Sequence, residues 1–163
     1  GFLVLPWQAA TNWDPLADEW IDITFGNEWD WLDEVSQKNF LNDTFIINTA
    51  SDRMGYRLSG NTIIATNKME LISSAVSFGT IQLLPDGQLI VLMADHQTAG
   101  GYPRIAHVIT ARLSKLAQLK PGEKINFKMT SPETGEELLI QQQQHLYQLQ
   151  NACTFRLKEF LEK

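Results

Sequence analysis

The sequence is poor in cysteine, histidine and basic residues, and each shortage excludes a class of protein. Its single cysteine, Cys153, cannot form an internal disulfide framework. No Cys, His and carboxylate spacing typical of metal ligands occurs, so no zinc site and no metal cofactor are predicted. The 13 Lys and Arg residues face 19 Asp and Glu residues, giving a net charge of -6, and they form no cluster that could follow a phosphate backbone. Nucleic acid is therefore not an expected partner.

Long apolar runs and nucleotide-binding motifs are missing as well. No stretch approaches the roughly 20 apolar residues that cross a bilayer, and no signal peptide is visible, so we expect a cytoplasmic protein with no membrane partner. Neither a Walker loop nor a dinucleotide fingerprint is present, and no serine lies in a nucleophile elbow. Any requirement for ATP would be met at a site that the sequence does not reveal.

The length of 163 residues suits one domain that buries a core without disulfides. Residues 1–19 show no clear periodicity, and they start with Gly1 rather than methionine, followed by the apolar run FLVLPW. We interpret them as a linker or as the remnant of a missing N-terminal half. The folded domain is predicted over residues 20–163.

Short strands dominate the middle of the chain and predict a mainly β fold, either a barrel or a sandwich. The segment WIDITF at 20–25 alternates apolar and polar residues, and Pro85-Asp86-Gly87 forms a turn between two later strands. The further predicted strands are 44–48, 56–58, 62–66, 76–84, 88–94, 105–110 and 124–129.

Two helices are predicted beside these strands. Apolar residues at helical spacing predict one over about 28–39, which Asn27 can cap, and a shorter one over 111–119.

A third, long helix is predicted at the C-terminal end. Ser131 is an N-cap followed by proline, and the helix is expected to continue to about Leu161. Its seven-residue apolar stripe, which includes Cys153, favours packing on the chain's own barrel over a coiled-coil dimer.

The polar loop DHQTAGGYPR at 95–104 carries the most varied chemistry of the chain. Gly100 and Gly101 allow the backbone to approach a ligand closely, and Tyr102 offers a flat amphipathic ring. Spacing alone is equally consistent with a ligand site and with a tight turn whose side chains bond locally.

Two arginines form a second candidate feature. Arg53 and Arg57 are four residues apart, which in an extended segment places both guanidiniums on one face. Such a pair can bind a carboxylate or a phosphate, although ion pairs with nearby aspartates are the alternative. With Arg104 in the same cavity, three cations would form an anion site.

The histidines are less informative. Asp95 and His96 suit an acid and base pair, but neighbours in a strand face opposite sides, so only one could reach a given pocket unless the loop has begun. His107 lies in an apolar strand and is interpreted as structural. We assign no role to His145.

Three motifs resemble those of the biotin-dependent carboxyltransferase family. They are SDRMGYRLSG at 51–60, GTIQLLPDGQ at 79–88 and ADHQTAGGYPRIAHVITARLSKLAQLKPGEKINF at 94–127. Members of this family include the C subunit of bacterial ATP-dependent 5-oxoprolinase, the KipA antagonist proteins and the carboxyltransferase region of urea carboxylase, formerly called allophanate hydrolase subunit 2. Leu89 and Ala99 depart from the expected proline and threonine.

This resemblance implies a fold and a place in a longer protein. The expected fold is a cyclophilin-like β-barrel with peripheral helices and a long C-terminal helix, without prolyl isomerase activity. The motifs belong to the C-terminal half of the family's subunits, so the missing N-terminal half is itself an expected partner.

The resemblance also implies a function. Together with subunits A and B, the latter KipI-like, the chain is expected to take part in the ATP-dependent cleavage of 5-oxoproline to glutamate, and the isolated fragment is expected to be inactive. ATP is then consumed by the complex. The alternatives are a KipA-like antagonist that binds a sensor-kinase inhibitor, and a carboxyltransferase that acts on urea with carboxybiotin.

By the same resemblance, the substrate is a small cyclic amide that bears a carboxylate. Asp95 is expected to transfer a proton, and Tyr102 to shape the site. The residues expected to bind the substrate are Arg53, Arg57, Gln82, Gln97, Thr98, Gly100, Gly101 and Arg104.

Overall fold

The computed structural model describes residues 20–67 and 71–162, so the interpretation of residues 1–19 lies outside the described residues. The strands are β1 Trp20–Phe25, β2 Phe45–Ile47, β3 Gly55–Ser59, β4 Ser74–Ala75, β5 Thr80–Leu83, β6 Leu89–Leu92, β7 Ala99–Gly100, β8 Arg104–Val108 and β9 Lys124–Met129. The α-helices are α1 Glu34–Asn42, α2 Leu113–Gln118 and α3 Pro132–Leu161.

Seven of these strands close into a barrel in the order β1-β8-β5-β6-β3-β2-β9. Neighbouring strands are antiparallel except β1 and β9, which run parallel with Trp20 opposite Asn126 and Ile23 opposite Met129. The remaining two, β4 and β7, form a separate two-stranded sheet, which we call the small sheet. The prediction of a mainly β fold is confirmed, and the barrel is the form it takes.

The core fills the barrel with branched and aromatic side chains. Ile81 and Val91 face each other across β5 and β6 and are fully buried. Phe40 of α1 stacks on Phe127 of β9, with ring centroids 5.1 Å apart and ring planes 12° apart. Aromatic burial of this size stabilises a core strongly, and it fixes α1 against β9.

The helix predicted over 28–39 is divided into two pieces, so its predicted start and its cap at Asn27 were wrong. A 3-10 helix covers Trp29–Trp31, and α1 begins only at Glu34. Between them Leu32 is extended and forms a bridge with Ala65. The Asp33 side chain then accepts a hydrogen bond from the Ser36 backbone N–H at 2.6 Å, which makes Asp33 the N-cap of α1.

The strand predicted over 62–66 is also wrong, because only Ala65 forms a strand-like bridge. Ile63 is buried although its N–H donates to the Gly87 carbonyl in a turn rather than to a ladder. Ile63 therefore contributes to the core from a loop, whereas Ile64 beside it is exposed.

Other boundaries shift for local reasons. The strand predicted over 76–84 begins at Thr80, because Gly79 before it has a φ of 85°. The strand predicted over 88–94 ends at Leu92, and the residues after it form a turn. The helix predicted over 111–119 consists of a 3-10 turn, Thr110–Arg112, followed by α2.

Helix α3 starts as predicted, since the Ser131 hydroxyl accepts a hydrogen bond from the Thr134 N–H and proline follows it. Its first turns contact the rest of the fold, where Leu138 and Leu139 pack against Ile109 and Ala111, just after β8. None of its residues is buried within the described chain. The prediction that its apolar stripe packs on the chain's own barrel is therefore wrong beyond these turns.

Within residues 20–67 and 71–162, no helix is both long and apolar enough to span a bilayer.

Candidate functional site

The candidate site is built on the outer face of three neighbouring strands. Arg57 on β3 lies opposite Ile90 on β6, and Ile90 lies opposite Gln82 on β5. Their chain neighbours Val91 and Ile81 point into the core and are fully buried. Because side chains alternate along a strand, Arg57, Ile90 and Gln82 form one row on the opposite face.

A cavity of about 480 Å³ lies over this row. Loops complete its walls: one precedes β3, another is the turn between β5 and β6, and a third joins β6 to β8. The polar side chains that line it are Asp52, Arg57, Gln82, Asp86, Gln97 and Tyr102.

Two of the charged side chains of the cavity already have hydrogen-bond partners, and the third does not. Asp52 accepts hydrogen bonds from the N–H groups of Met54 and Gly55, and Asp86 accepts one from Gln88. The guanidinium of Arg57 has no hydrogen bond or ion pair with any of the residues that the structure describes. It is also the one basic side chain on the described cavity wall, so the cavity offers a cation that is free to bind an anion.

Gln82 is the most deeply buried polar side chain of the cavity, with 1% of its surface exposed. Its Nε2 donates to the Tyr102 carbonyl across 3.5 Å, which is the long limit for a hydrogen bond. Its Oε1 has no partner among residues 20–67 and 71–162. A buried acceptor without a partner costs about 1–3 kcal/mol, so a ligand that donates to Oε1 would recover this cost.

Gly100 lies directly over two carboxamides. A Cβ atom at this position would be 2.9 Å from Nε2 of Gln82 and 3.1 Å from Nε2 of Gln97. The absence of a side chain therefore allows the backbone of β7 to approach both amides. The sequence predicted such a close approach, and here it is made to the chain's own glutamines.

Arg53 and Asp95 do not line this cavity. They form an exposed ion pair with each other, with Nε and Oδ2 2.9 Å apart and 82% and 50% of the two side chains exposed. Strand β3 begins at Gly55, so Arg53 lies outside it, and the prediction that Arg53 and Arg57 share one face of an extended segment was wrong. His96 follows Asp95 in the same turn.

Arg104 does not line the cavity either, so the condition for a site of three arginines is not met. Its Nε and one terminal nitrogen bind the two carboxylate oxygens of Glu28 at 3.0 and 2.8 Å. Its other terminal nitrogen donates to the hydroxyl of Ser74 at 2.8 Å. Sequence reasoning missed Glu28, which lies 76 positions away and belongs to no motif.

Two further predicted residues lie beside the cavity rather than on it. Thr98 is exposed, and its carbonyl accepts a hydrogen bond from Val76. Gly101 borders a second cavity of about 780 Å³, which shares Tyr102 and the turn after β5 with the first.

Three groups at and near this ion pair, Glu28, Arg104 and His107, have shifted pKa values. Burial raises the pKa of the Glu28 carboxyl, but hydrogen bonds from the side chain and backbone of Arg104 outweigh it, so the net pKa lies below the usual value. The same side-chain bond raises the pKa of Arg104. Burial, followed by the charge of Arg104, lowers the pKa of His107, whose Nδ1 lies 3.2 Å from the Thr80 hydroxyl. These contacts support a structural role for His107.

The described residues contain no group of three or more His, Cys, Asp or Glu side chains placed to bind one metal ion. The chemistry available in the cavity is therefore that of one guanidinium, two carboxamides, a phenol and two carboxylates.

The sequence matches the family described as carboxyltransferase domain, subdomain A and B, over residues 5–129. The chain belongs to this family. The family predicted from the three motifs is thus confirmed.

The chain resembles two named proteins. It is 41% identical over 114 residues to the 5-oxoprolinase C subunit of Haemophilus influenzae, covering 70% of this chain and 37% of that protein. It is 40% identical over 124 residues to the 5-oxoprolinase C subunit of Escherichia coli, covering 76% of this chain and 40% of that protein. The chain spans about two fifths of the length of these relatives.

A solved structure shares the fold. Urea carboxylase of Kluyveromyces lactis superposes with a TM-score of 0.74 at 25% identity, over 79% of this chain and 12% of that one. The predicted fold class, a mainly β barrel with a long C-terminal helix, agrees with this neighbour.

Proposed function

We propose that this chain is the substrate-binding barrel of a protein like the 5-oxoprolinase C subunit, which acts with subunits A and B in the ATP-dependent opening of 5-oxoproline to glutamate. The two relatives that carry the name of this 5-oxoprolinase component support the reaction class. The observation that carries the proposal is the presence, in one cavity, of the unpaired Arg57 guanidinium and the buried Gln82 carboxamide.

These two groups complement the two polar ends of 5-oxoproline. Arg57 would bind its carboxylate with charge-assisted hydrogen bonds. The lactam is a cis amide, so its N–H and C=O point to the same side. Gln82 carries an acceptor and a donor on one carboxamide and would meet both. Gln97 and Tyr102 would then enclose the ring.

The overall reaction needs ATP, and the cavity does not suit that nucleotide. A triphosphate carries several negative charges, whereas the described lining has one arginine against two aspartates. The proposal therefore assigns ATP hydrolysis to the other subunits. In the ring-opening step, the bond between carbonyl carbon and nitrogen breaks, the oxygen of water joins the carbon, and the nitrogen becomes the amine of glutamate.

The test compares two arginines of the full-length C subunit, which includes the expected N-terminal half, in the complex reconstituted with subunits A and B; 5-oxoproline-dependent ATP turnover is the readout. Arg57→Ala is expected to raise the KM for 5-oxoproline roughly 10- to 150-fold, since a hydrogen bond to a charged group contributes about 1.5–3 kcal/mol. Arg53→Ala is expected to change KM less than about twofold, because an exposed ion pair contributes little.

Equal losses in both variants would favour the site predicted from sequence, with Arg53 as a ligand. No turnover of 5-oxoproline by the wild-type complex would refute the proposed function and favour a KipA-like regulator.

A further inference from the structure

The small sheet lies beside the cavity, because the residues that line it on this side, Gln97 and Tyr102, flank β7 in the chain. In it Ser74 lies opposite Gly100 and Ala75 opposite Ala99, and the Val76 N–H extends the pairing by donating to the Thr98 carbonyl at 3.1 Å. The chain that follows β7 carries Tyr102, and the chain that precedes it carries Gln97. The position of the small sheet therefore sets where these two side chains lie over the floor of the cavity.

The small sheet is too short to hold its own position. Each strand has two residues, whereas a two-stranded sheet is at best marginally stable even with longer strands. Gln82 of the barrel donates to the carbonyl of Tyr102, two residues after β7, at the 3.5 Å limit. The bond from Arg104 to the Ser74 hydroxyl, at 2.8 Å, is much the shorter of these two links.

Glu28 fixes the Arg104 side chain in the orientation that contacts Ser74. Glu28 binds its guanidinium at two nitrogens, and the same carboxylate accepts the Arg104 backbone N–H at 2.8 Å. The Glu28 N–H donates in turn to the Arg104 carbonyl at 3.1 Å. With 17% and 7% of the two side chains exposed, the pair is largely removed from water. The third guanidinium nitrogen is thus presented to Ser74 in one orientation, as a planar fork allows.

We infer that Arg104 is a positioning residue, which connects the small sheet to the barrel through Ser74 and so places Gln97 and Tyr102 over the cavity. Its effect on substrate rests on the proposed function. Its effect on the small sheet does not.

Ser74→Ala tests this inference because it removes the acceptor and leaves the ion pair between Glu28 and Arg104 intact. Ser73→Ala is the matched control, since Ser73 makes no side-chain hydrogen bond to the described residues. Ser74→Thr keeps a hydroxyl and is expected to restore the wild-type behaviour.

The first readout is hydrogen exchange of the Val76 amide in the full chain without ligand. Ser74→Ala is expected to speed this exchange roughly 10- to 150-fold, the effect of losing one hydrogen bond to a charged group, while the Val91 amide in β6 is unchanged. Unchanged exchange at Val76 would overturn the inference.

The second readout is the kinetics of the full-length C subunit in complex with subunits A and B. Ser74→Ala is expected to raise the KM for 5-oxoproline severalfold with kcat within twofold, because Gln97 and Tyr102 are misplaced while the floor of the cavity is intact. If Ser74→Ala speeds exchange but leaves the KM of an active complex unchanged, Arg104 does not position Gln97 and Tyr102 for substrate. If the wild-type complex does not act on 5-oxoproline, the proposed function fails, and the exchange rates of the three variants alone decide the role of Arg104.

Discussion

Arg112 and Asp22 form a buried ion pair between segments 90 positions apart in the chain. Only 3% and 5% of their side chains are exposed. The pair connects the turn before α2 to the first strand of the barrel. Removal of one partner from such a pair leaves the other charge buried without compensation, which costs about 3–5 kcal/mol.

Arg112→Ala is therefore expected to lower the free energy of unfolding by about 3–5 kcal/mol in urea titrations. The matched control is Arg156→Ala, which removes the same side chain from an exposed pair with Glu159 on α3 and is expected to cost less than about 1 kcal/mol. Equal losses would show that burial does not govern the strength of these pairs.

Acid should destabilise the fold in two steps. His107 has a folded-state pKa below 6.5, so the unfolded chain binds its proton first, and stability declines as pH falls from about 6.5 through the folded pKa. Glu28 has a folded-state pKa below 4.5, so its contribution is present above about pH 4.5 and is lost as pH falls through the folded value.

His107→Gln is expected to remove the first step from a plot of unfolding free energy against pH, and Glu28→Gln the second. A His107→Gln profile parallel to that of the wild type between pH 7 and 5 would contradict the assignment.

Single residues show where sequence reasoning reached its limit. Gln82, Gln97 and Tyr102 were selected from motifs, and all three line one cavity. The arginines could not be sorted in the same way, because their partners are set by tertiary contacts: Asp95 is 42 positions from Arg53, and Glu28 is 76 from Arg104.

At the scale of elements, the first turns of α3 pack against the rest of the fold, and much of the helix beyond them is exposed. A helix without tertiary contacts is marginal in water, and its packed turns supply most of its stability. Leu138 and Leu139 contact the barrel, and Gln142 donates to the Ala111 carbonyl at 3.4 Å. Leu146 and Phe155, farther along, are 52% and 69% exposed.

Hydrogen exchange along α3 is expected to be slow for amides near Leu139 and Gln142 and at least tenfold faster beyond Leu146, as for a helix that opens locally. Mass spectrometry of peptides from each part would measure this difference. Uniform protection over the whole helix would contradict it and indicate a further contact along the exposed part.

Elements with a strong local signal were predictable, and those defined by pairing alone were not. Strand β9 has the predicted limits, 124–129, because alternation and a preceding Pro-Gly turn both mark it. The small sheet was missed, since two residues per strand carry no periodicity. The residues of 62–66 have strand propensity, but their neighbours leave them no ladder to join.

At the scale of the whole molecule, the order of folding depends on how the barrel closes. Strand β9 lies between β1 and β2, so the first and last strands of the barrel are direct neighbours. The β5–β6 hairpin, by contrast, needs only a short turn. Contacts distant in sequence are costly to form early in folding, so we expect the hairpin to be structured before the β1–β9 pairing.

Ile81→Val and Ile125→Val test this order with one substitution at two fully buried sites, in β5 and in β9. Each is expected to cost about 0.5–1.5 kcal/mol. In stopped-flow folding experiments, Ile81→Val should mainly slow folding, and Ile125→Val should mainly speed unfolding. The reverse pattern would show that closure by β9 comes first.

At this scale the sequence was informative about class and family but not about closure. Short alternating segments predicted a mainly β domain, and three motifs identified the family. Strand order is fixed by long-range packing, and nothing in the alternation of β1 or β9 marks them as parallel neighbours.

The late arrival of β9 has a consequence during protein synthesis. About 100 residues separate the end of β1 from the start of β9, and at about 5–20 residues per second the ribosome needs about 5–20 s to add them. For that interval the nascent chain presents two strand edges without their final partner. Unpaired edges can add strands from other chains, so aggregation competes with folding mainly while the protein is being made.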